Sequence, residues 1–198
     1  MADSIQEAKR ALRQQIRDRL AVLPEAHRNV ASAQARSLLV QQSVWKVANR
    51  VLMFAPASLE LDIWPLVENA LSVAKTVALP RFIRTANRYT VCEIKDPLTD
   101  LQLGRFGIRE PAEHCADLTI SRLDLLLVPG VAFDLHGRRL GRGKGFYDQL
   151  LAVASGTTCG VAFDEQIVKE IPVEPHDIFV DCILTPTRWL ERAPRGLE

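Results

Sequence analysis

Apolar residues near the start of the chain recur every three or four positions, a spacing that predicts an amphipathic helix. Ser4 and Glu7 have the spacing of a capping box, so we expect the helix to begin at Ser4. The sequence Leu23-Pro24-Glu25 then interrupts the pattern, and we expect a second helix over residues 25–42. The apolar stripe of the first helix consists of Ile5, Ala8, Leu12, Ile16 and Leu20.

Short apolar runs and helical patterns alternate in the next part of the chain. Residues 50–55 and 76–79 are predicted to be buried strands, which Pro56 and Pro80 should end. Asp62 is expected to cap the helix between these strands. A strand, a helix and a strand in this order are typical of a parallel sheet with crossover helices.

The rest of the chain continues this pattern. Residues 104–111 are expected to form a loop, and residues 145–154 a helix. Further strands are predicted over residues 88–94, 123–128, 159–163 and 178–184. No linker divides the sequence. We therefore predict an α/β fold for residues 1–198, a single domain with a mainly parallel central sheet flanked by helices.

Composition narrows the possible functions. The 198 residues are 47% hydrophobic, and 25 basic residues against 24 acidic ones give a net charge of +1. This balance argues against a nucleic-acid partner. No apolar run is long enough to span a membrane, and the first residues lack a signal-peptide pattern. The four cysteines are isolated and are expected to be reduced. We expect a cytoplasmic monomer that acts on a small molecule.

A glycine-rich basic segment carries the strongest chemical signal. Gly141, Gly143 and Gly145 alternate with Arg142 and Lys144. Glycines allow backbone N–H groups to approach an anion closely, and the two cations add full positive charges. Arg139 is a candidate for a third charge. This combination favours a di- or triphosphate ligand over a single carboxylate.

The segment matches neither standard nucleotide motif. A Walker A loop would need glycine at Arg138 and serine or threonine at Gly145, and a dinucleotide fingerprint would need glycine at Phe146. A basic surface turn therefore remains an alternative. Asp148, one helical turn beyond, is a candidate Mg²⁺ ligand. Its alternative role is to stabilise the first turn of a helix through the helix dipole.

A longer motif around this segment resembles the signature of 5-formyltetrahydrofolate cyclo-ligases, also called methenyltetrahydrofolate synthetases. The motif runs Pro129-Gly-Val-Ala-Phe-Asp134, then Gly137, then Arg139-Leu-Gly-Arg-Gly-Lys-Gly-Phe-Tyr-Asp148. Shorter similarities lie at Lys9-Arg-Ala-Leu-Arg13, at residues 50–60, at Phe106-Gly-Ile-Arg-Glu-Pro111 and at residues 176–181.

This resemblance implies an ATP-dependent conversion of 5-formyltetrahydrofolate to 5,10-methenyltetrahydrofolate, with ADP and phosphate as products. It implies that the formyl oxygen attacks the γ-phosphate and that N10 then closes the ring, with Arg142 and Lys144 as catalytic residues. The ATP site implied by the resemblance comprises Lys9, Arg13, Arg139, Leu140, Gly141, Arg142, Gly143, Lys144, Gly145, Phe146 and Tyr147.

The resemblance also implies a folate site and a metal site. The folate site comprises Ala55, Glu60, Arg142, Gly143, Lys144, Gly145 and Phe146, with Glu60 on the N–H donors of the pterin. Asp148 and Asp181 are implied as Mg²⁺ ligands. Phe146 departs from the family, which often has tyrosine there, and Trp64 and Phe82 are further aromatics that core packing would explain. A non-catalytic folate- or nucleotide-binding protein, and an ATP-using enzyme with another substrate, remain alternatives.

Overall fold

Five parallel strands form the centre of a seven-stranded sheet. The computed structural model describes residues 2–104 and 107–192. The order across the sheet is β12-β11-β9-β6-β1-β2-β3, and only the two edge strands, β12 and β3, are antiparallel to their neighbours. The predicted α/β class is therefore confirmed. The strands of this sheet are β1 (Arg50–Leu52), β2 (Thr76–Ile83), β3 (Arg88–Ile94), β6 (Leu125–Pro129), β9 (Thr157–Val161), β11 (Cys182–Leu184) and β12 (Trp189–Glu191).

Two smaller sheets and five α-helices complete the described structure. A hairpin joins β4 (Leu101–Leu103) to β5 (Arg109–Pro111), and a second small sheet holds β7 (Ala132–Asp134), β8 (Arg139–Leu140) and β10 (Ile167–Val168). Within the described ranges, no helix is long and apolar enough to cross a membrane. The helices are α1 (Ala2–Ala21), α2 (Glu25–Gln41), α3 (Ser43–Val47), α4 (Pro65–Ser72) and α5 (Phe146–Leu151).

The central sheet is buried on both faces, which explains why its central strand β6 is apolar throughout rather than alternating. In β6, Leu125 and Leu127 belong to the core on one face, and Leu126 and Val128 to the core on the other. The first core also takes up Leu12, Ile16 and Leu20 of the predicted stripe of α1, but not the exposed Ala8, and it includes the inner face of α2. The second core includes the end of α5. All four cysteines are buried and free, as predicted.

Several predicted boundaries were wrong. Helix α1 already contains Ser4, so Ser4 is not its cap. Strand β2 continues through Pro80 to Ile83. The carbonyl of Ala78 accepts a hydrogen bond from the backbone N of Met53, so it faces the side of β1. Pro80 lies two residues further along β2, and its N atom therefore faces the same side. Because β1 pairs with β2 only as far as Ala78, no neighbour on that side needs an N–H from Pro80. The expected loop over residues 104–111 contains β5, and β12 was not predicted at all.

Candidate functional site

A cavity of about 270 Å³ lies where strands of the central sheet end. Ala55 follows β1, and Pro129 ends β6, so the cavity lies outside the carboxyl edge of the parallel strands, the usual position of ligand sites in open α/β sheets. Its wall is completed by the glycine segment and the β4–β5 hairpin. The lining residues are Phe54, Ala55, Glu60, Pro80, Tyr89, Ile108, Arg109, Glu110, Pro129, Gly130, Arg139, Gly141, Arg142, Lys144, Gly145, Phe146, Tyr147 and Asp148.

The glycine segment has backbone conformations that explain its composition. Gly143 has φ 94° and Gly145 has φ 67°, both in the left-handed region that side chains with a Cβ rarely adopt. Gly145 immediately precedes α5, and Lys144 is exposed beside it. Leu140 is 1% exposed in the core and does not line the cavity. It therefore anchors the segment. Of the following residues, Gly141, Arg142, Lys144 and Gly145 line the cavity, and Gly143 does not.

Helix α1 places Arg13 directly against this segment. The Arg13 Nε atom donates a hydrogen bond of 2.8 Å to the carbonyl oxygen of Gly141. A Cβ atom at Gly143 would lie 3.6 Å from the Arg13 guanidinium carbon. The first helix thus brings a cation to a loop 128 residues further along the chain.

Lys9, one turn earlier on α1, has different neighbours. Its Nζ atom lies 2.9 Å from Glu174 and 2.6 Å from Asp177, and its side chain is 6% exposed. Burial alone would lower the pKa of Lys9, but the hydrogen bonds to Asp177 and Glu174 raise it overall. In this structure Lys9 is a buried, ion-paired ammonium, and it does not line the cavity.

Arg139 is a buried cation in the wall of the cavity. Its Nη2 atom donates a 2.7 Å hydrogen bond to Asp148, and its side chain is 3% exposed. Its guanidinium carbon lies 5.8 Å from the centre of the Tyr147 ring. The buried Nε atom of Arg139 has no hydrogen-bond partner among the described residues. An unpaired buried donor is costly, so the group favours an additional acceptor.

Arg142 links the glycine segment to the loop after β1. Its Nη2 atom lies 2.5 Å from Glu60, although its side chain is 56% exposed. The second carboxylate oxygen of Glu60 accepts a 2.9 Å hydrogen bond from the backbone of Ala57. Each carboxylate oxygen of Glu60 therefore already has one protein partner.

An aromatic cluster forms the apolar part of the wall. Phe146 lies 5.2 Å from Tyr89 and 5.3 Å from Phe82, measured between ring centres, and Tyr147 lies 6.4 Å from Tyr89. Phe82 packs behind the lining residues, as core packing predicts, and Tyr89 was missed because a lone tyrosine in a strand carries no functional signal. Burial, followed by the charge of Glu60, raises the pKa of Tyr147, which keeps its hydroxyl protonated.

The two aspartates implied as metal ligands have different surroundings. Asp148 lines the cavity, but Asp181 precedes β11 and lies level with Thr158, which pairs with Leu126. Leu126 is three residues before the carboxyl end of β6, a rise of about 10 Å along the strands. Asp181 accepts hydrogen bonds from the backbone N and Oγ1 of Thr158 at 2.9 and 2.7 Å. The implied Mg²⁺ site of Asp148 and Asp181 stays a prediction, and of the two only Asp148 lines the cavity.

The element at residues 106–111 contributes a residue that had no predicted role of its own. Phe106 lies outside the described residues, but Glu110 lines the cavity and is 8% exposed. A second cleft of about 490 Å³ adjoins the first and shares Ala55, Glu60, Ile108 and Arg109 with it. Trp64 lines this second cleft, where the guanidinium of Arg109 lies 4.5 Å from the centre of its ring.

Comparisons with known proteins agree on one family. A family model described as the 5-formyltetrahydrofolate cyclo-ligase family matches residues 5–186. The 5-formyltetrahydrofolate cyclo-ligase of Escherichia coli K12 is 34% identical over 177 residues, covering 87% of this chain and 97% of the relative. The mouse protein of that name is 28% identical over 194 residues, covering 92% and 96%.

A solved structure agrees as well. The 5,10-methenyltetrahydrofolate synthetase of Aquifex aeolicus superposes with a TM-score of 0.85 at 34% identity, covering 96% of each chain. The resemblance carried by residues 129–148 is thereby confirmed over almost the whole chain.

Proposed function

Because the chain belongs to the 5-formyltetrahydrofolate cyclo-ligase family, we propose that it uses ATP to convert 5-formyltetrahydrofolate into 5,10-methenyltetrahydrofolate. ADP and phosphate would be the other products. The observation that supports this most directly is the composition of one cavity, which combines the cations and glycines of residues 139–145 with the aromatic side chains Tyr89, Phe146 and Tyr147. A phosphate donor and a flat heteroaromatic substrate need those two kinds of surface side by side.

In this proposal ATP binds the cationic part of the cavity. Arg13 and the backbone of the glycine segment hold the phosphates, with Arg142 and Lys144 nearest the transferring group. The unpaired Nε of Arg139 supports a further polar contact in the same region. Lys9 contributes to the ATP site only if it exchanges an acidic partner for a phosphate, since Glu174 and Asp177 hold it now.

The folate would occupy the aromatic part. Phe146 stacks on the pterin, and Ala55 and Glu60 contact the folate from the loop after β1. The adjoining cleft gives the aminobenzoyl-glutamate portion a place outside the main cavity, through the shared residues Ala55 and Ile108.

The proposed chemistry consists of a phosphoryl transfer followed by ring closure. The formyl oxygen attacks the γ-phosphorus and ADP departs. N10 then attacks the activated formyl carbon and loses its proton, and phosphate leaves with the former formyl oxygen. Phosphoryl transfer requires mainly positioning and charge neutralisation from the protein. Arg142 and Lys144 supply that positive charge. Their neighbours Gly143 and Gly145, with left-handed backbone conformations, determine the course of the segment that carries them.

Mg²⁺ is part of the proposal, with Asp148 as the candidate protein ligand. One oxygen of Asp148 is held by Arg139, and the other has no hydrogen-bond partner among the described residues, so a single carboxylate oxygen is available next to the phosphate region. Magnesium sites often use one or two carboxylates together with phosphate oxygens. When bound, the ion would neutralise charge on the phosphates of ATP.

The test is an assay of the purified full-length chain with ATP, Mg²⁺ and 5-formyltetrahydrofolate. We expect the absorbance of the methenyl product to rise in step with ADP formation. Tetrahydrofolate without the 5-formyl group is the control, and it should release no ADP. ADP formation that does not depend on the formyl group, or a complete absence of methenyl product, would contradict the proposal.

A further inference from the structure

Glu110 is a buried carboxylate with unusually few partners. It is 8% exposed, and among the described residues it accepts one hydrogen bond, from the backbone N of Phe82 at 3.4 Å, the long end of the range. An ionised carboxylate has about four acceptor positions, so most of its capacity is unused. Buried carboxylates normally have their acceptors satisfied, which makes this one a candidate for binding a ligand.

The pairing of β4 with β5 holds the Glu110 side chain at the cavity. A Cβ atom at Gly104 would lie 2.2 Å from the Glu110 carboxyl carbon, so Glu110 occupies space that only a glycine leaves open. The pairing of Gln102 with Glu110 fixes the register, and β5 packs against β2 and β3. The carboxylate is therefore positioned by backbone structure, close to the strand that carries Tyr89.

Glu60, the other glutamate in the cavity wall, differs in its partners. Both of its oxygens are occupied, one by Arg142 and one by the Ala57 backbone. A ligand that bound both oxygens of Glu60 would have to share them with these groups or displace one. Glu110 needs no such exchange. Burial raises the pKa of Glu110, outweighing the Phe82 hydrogen bond and the charge of Arg84. A ligand with N–H donors would therefore relieve a group that is poorly solvated.

The ligand suited to such a group presents two adjacent N–H donors on the edge of a flat ring. The pyrimidine half of a reduced pterin has this arrangement, with its exocyclic 2-amino group next to the ring N3–H. A carboxylate can accept both hydrogens in a bidentate pair, while the ring faces contact Phe146 and Tyr147. Given the proposed function, we propose that Glu110, rather than Glu60, binds the 2-amino and N3–H edge of the folate substrate and so determines specificity for it.

The test compares two substrates across two variants. The substrates are 5-formyltetrahydrofolate and its 2-desamino analogue, in which hydrogen replaces the exocyclic amine. In Glu110→Gln the KM for the parent folate should rise roughly 10- to 100-fold, the range for losing a hydrogen bond to a charged group, while the KM for ATP stays unchanged. Glu113→Gln, at an exposed glutamate outside the cavity, is the matched control and should resemble the wild type.

The analogue distinguishes recognition from general damage to the site. The wild type should discriminate strongly between parent and analogue, whereas Glu110→Gln should bind the two almost equally, as in a double-mutant cycle. Discrimination that survives in Glu110→Gln overturns the assignment, and so does discrimination that disappears in Glu60→Gln instead. Wild-type turnover of the parent is measured first; its absence overturns the proposed function itself. A thermal unfolding curve checks that Glu110→Gln folds.

Discussion

Acidic side chains at the two edges of the central sheet have different kinds of partner. At the amino edge, Asp124 accepts hydrogen bonds from the backbone N atoms of Asn49 and Arg50, both at 2.8 Å, and Asp181 accepts them from Thr158. At the carboxyl edge, Asp148 pairs with a side chain, and Glu110 has one long hydrogen bond. The acids at the amino edge complete the backbone hydrogen bonding, and those at the carboxyl edge retain capacity for a ligand.

This difference follows from the geometry of parallel strands. The first residues of such a strand present backbone N–H groups beyond the end of the pairing, and a nearby carboxylate satisfies them. At the opposite edge the chain turns into loops and helices, whose side chains meet at the cavity. An aspartate beside a strand can therefore stabilise the fold or bind a ligand, according to the edge of the sheet on which it lies.

The largest effect is expected at the carboxyl edge, from Lys144→Ala. Lys144 is an exposed cation on the glycine segment, next to the proposed transfer site, and it has no structural partner among the described residues. Removing one preorganised charge should lower kcat by roughly 10² to 10³ while stability changes little. Steady-state kinetics and thermal unfolding on the same samples measure both quantities.

Lys169→Ala is the matched control, because Lys169 is also exposed but does not line the cavity. Its kcat should equal that of the wild type. A near-normal kcat in Lys144→Ala would mean that the segment binds ATP without assisting transfer.

A smaller effect is expected from Asp148→Asn. The amide can still accept the hydrogen bond from Arg139, so the local structure should be kept, but the negative charge next to the phosphates is lost. The Mg²⁺ concentration for half-maximal activity should therefore rise roughly tenfold, the lower end of the range for weakened metal sites. A magnesium titration at fixed ATP measures this. An unchanged titration would assign Asp148 to the first turn of α5 alone.

The parts of this site that depend on local sequence were predictable, and the parts that depend on packing were not. The alternation of glycine and basic residues in 141–145 identified the loop, because positive φ values and charge are properties of the segment itself. The contact of Arg13 with Gly141 depends on how α1 packs across the sheet. The partner of Asp181 depends on the register of β9 with β11. Lys9 is held outside the cavity by its contact with Glu174, which lies 165 residues further along the chain.

Asp181→Asn gives the smallest expected change and tests the amino edge directly. Asp181 and Thr158 bind each other reciprocally, since the Asp181 backbone N also donates to Thr158 Oγ1 at 3.0 Å. Weakening a charged acceptor to a neutral one should lower the free energy of unfolding by about 1 kcal/mol, with kcat and the magnesium titration unchanged. In a Thr158→Val background, Asp181→Asn should lower the free energy of unfolding by less, because the hydrogen bond from Thr158 Oγ1 to Asp181 is already absent. A shift in magnesium requirement without loss of stability would instead place Asp181 in the metal site, and the distinction between the two edges would fail for this residue.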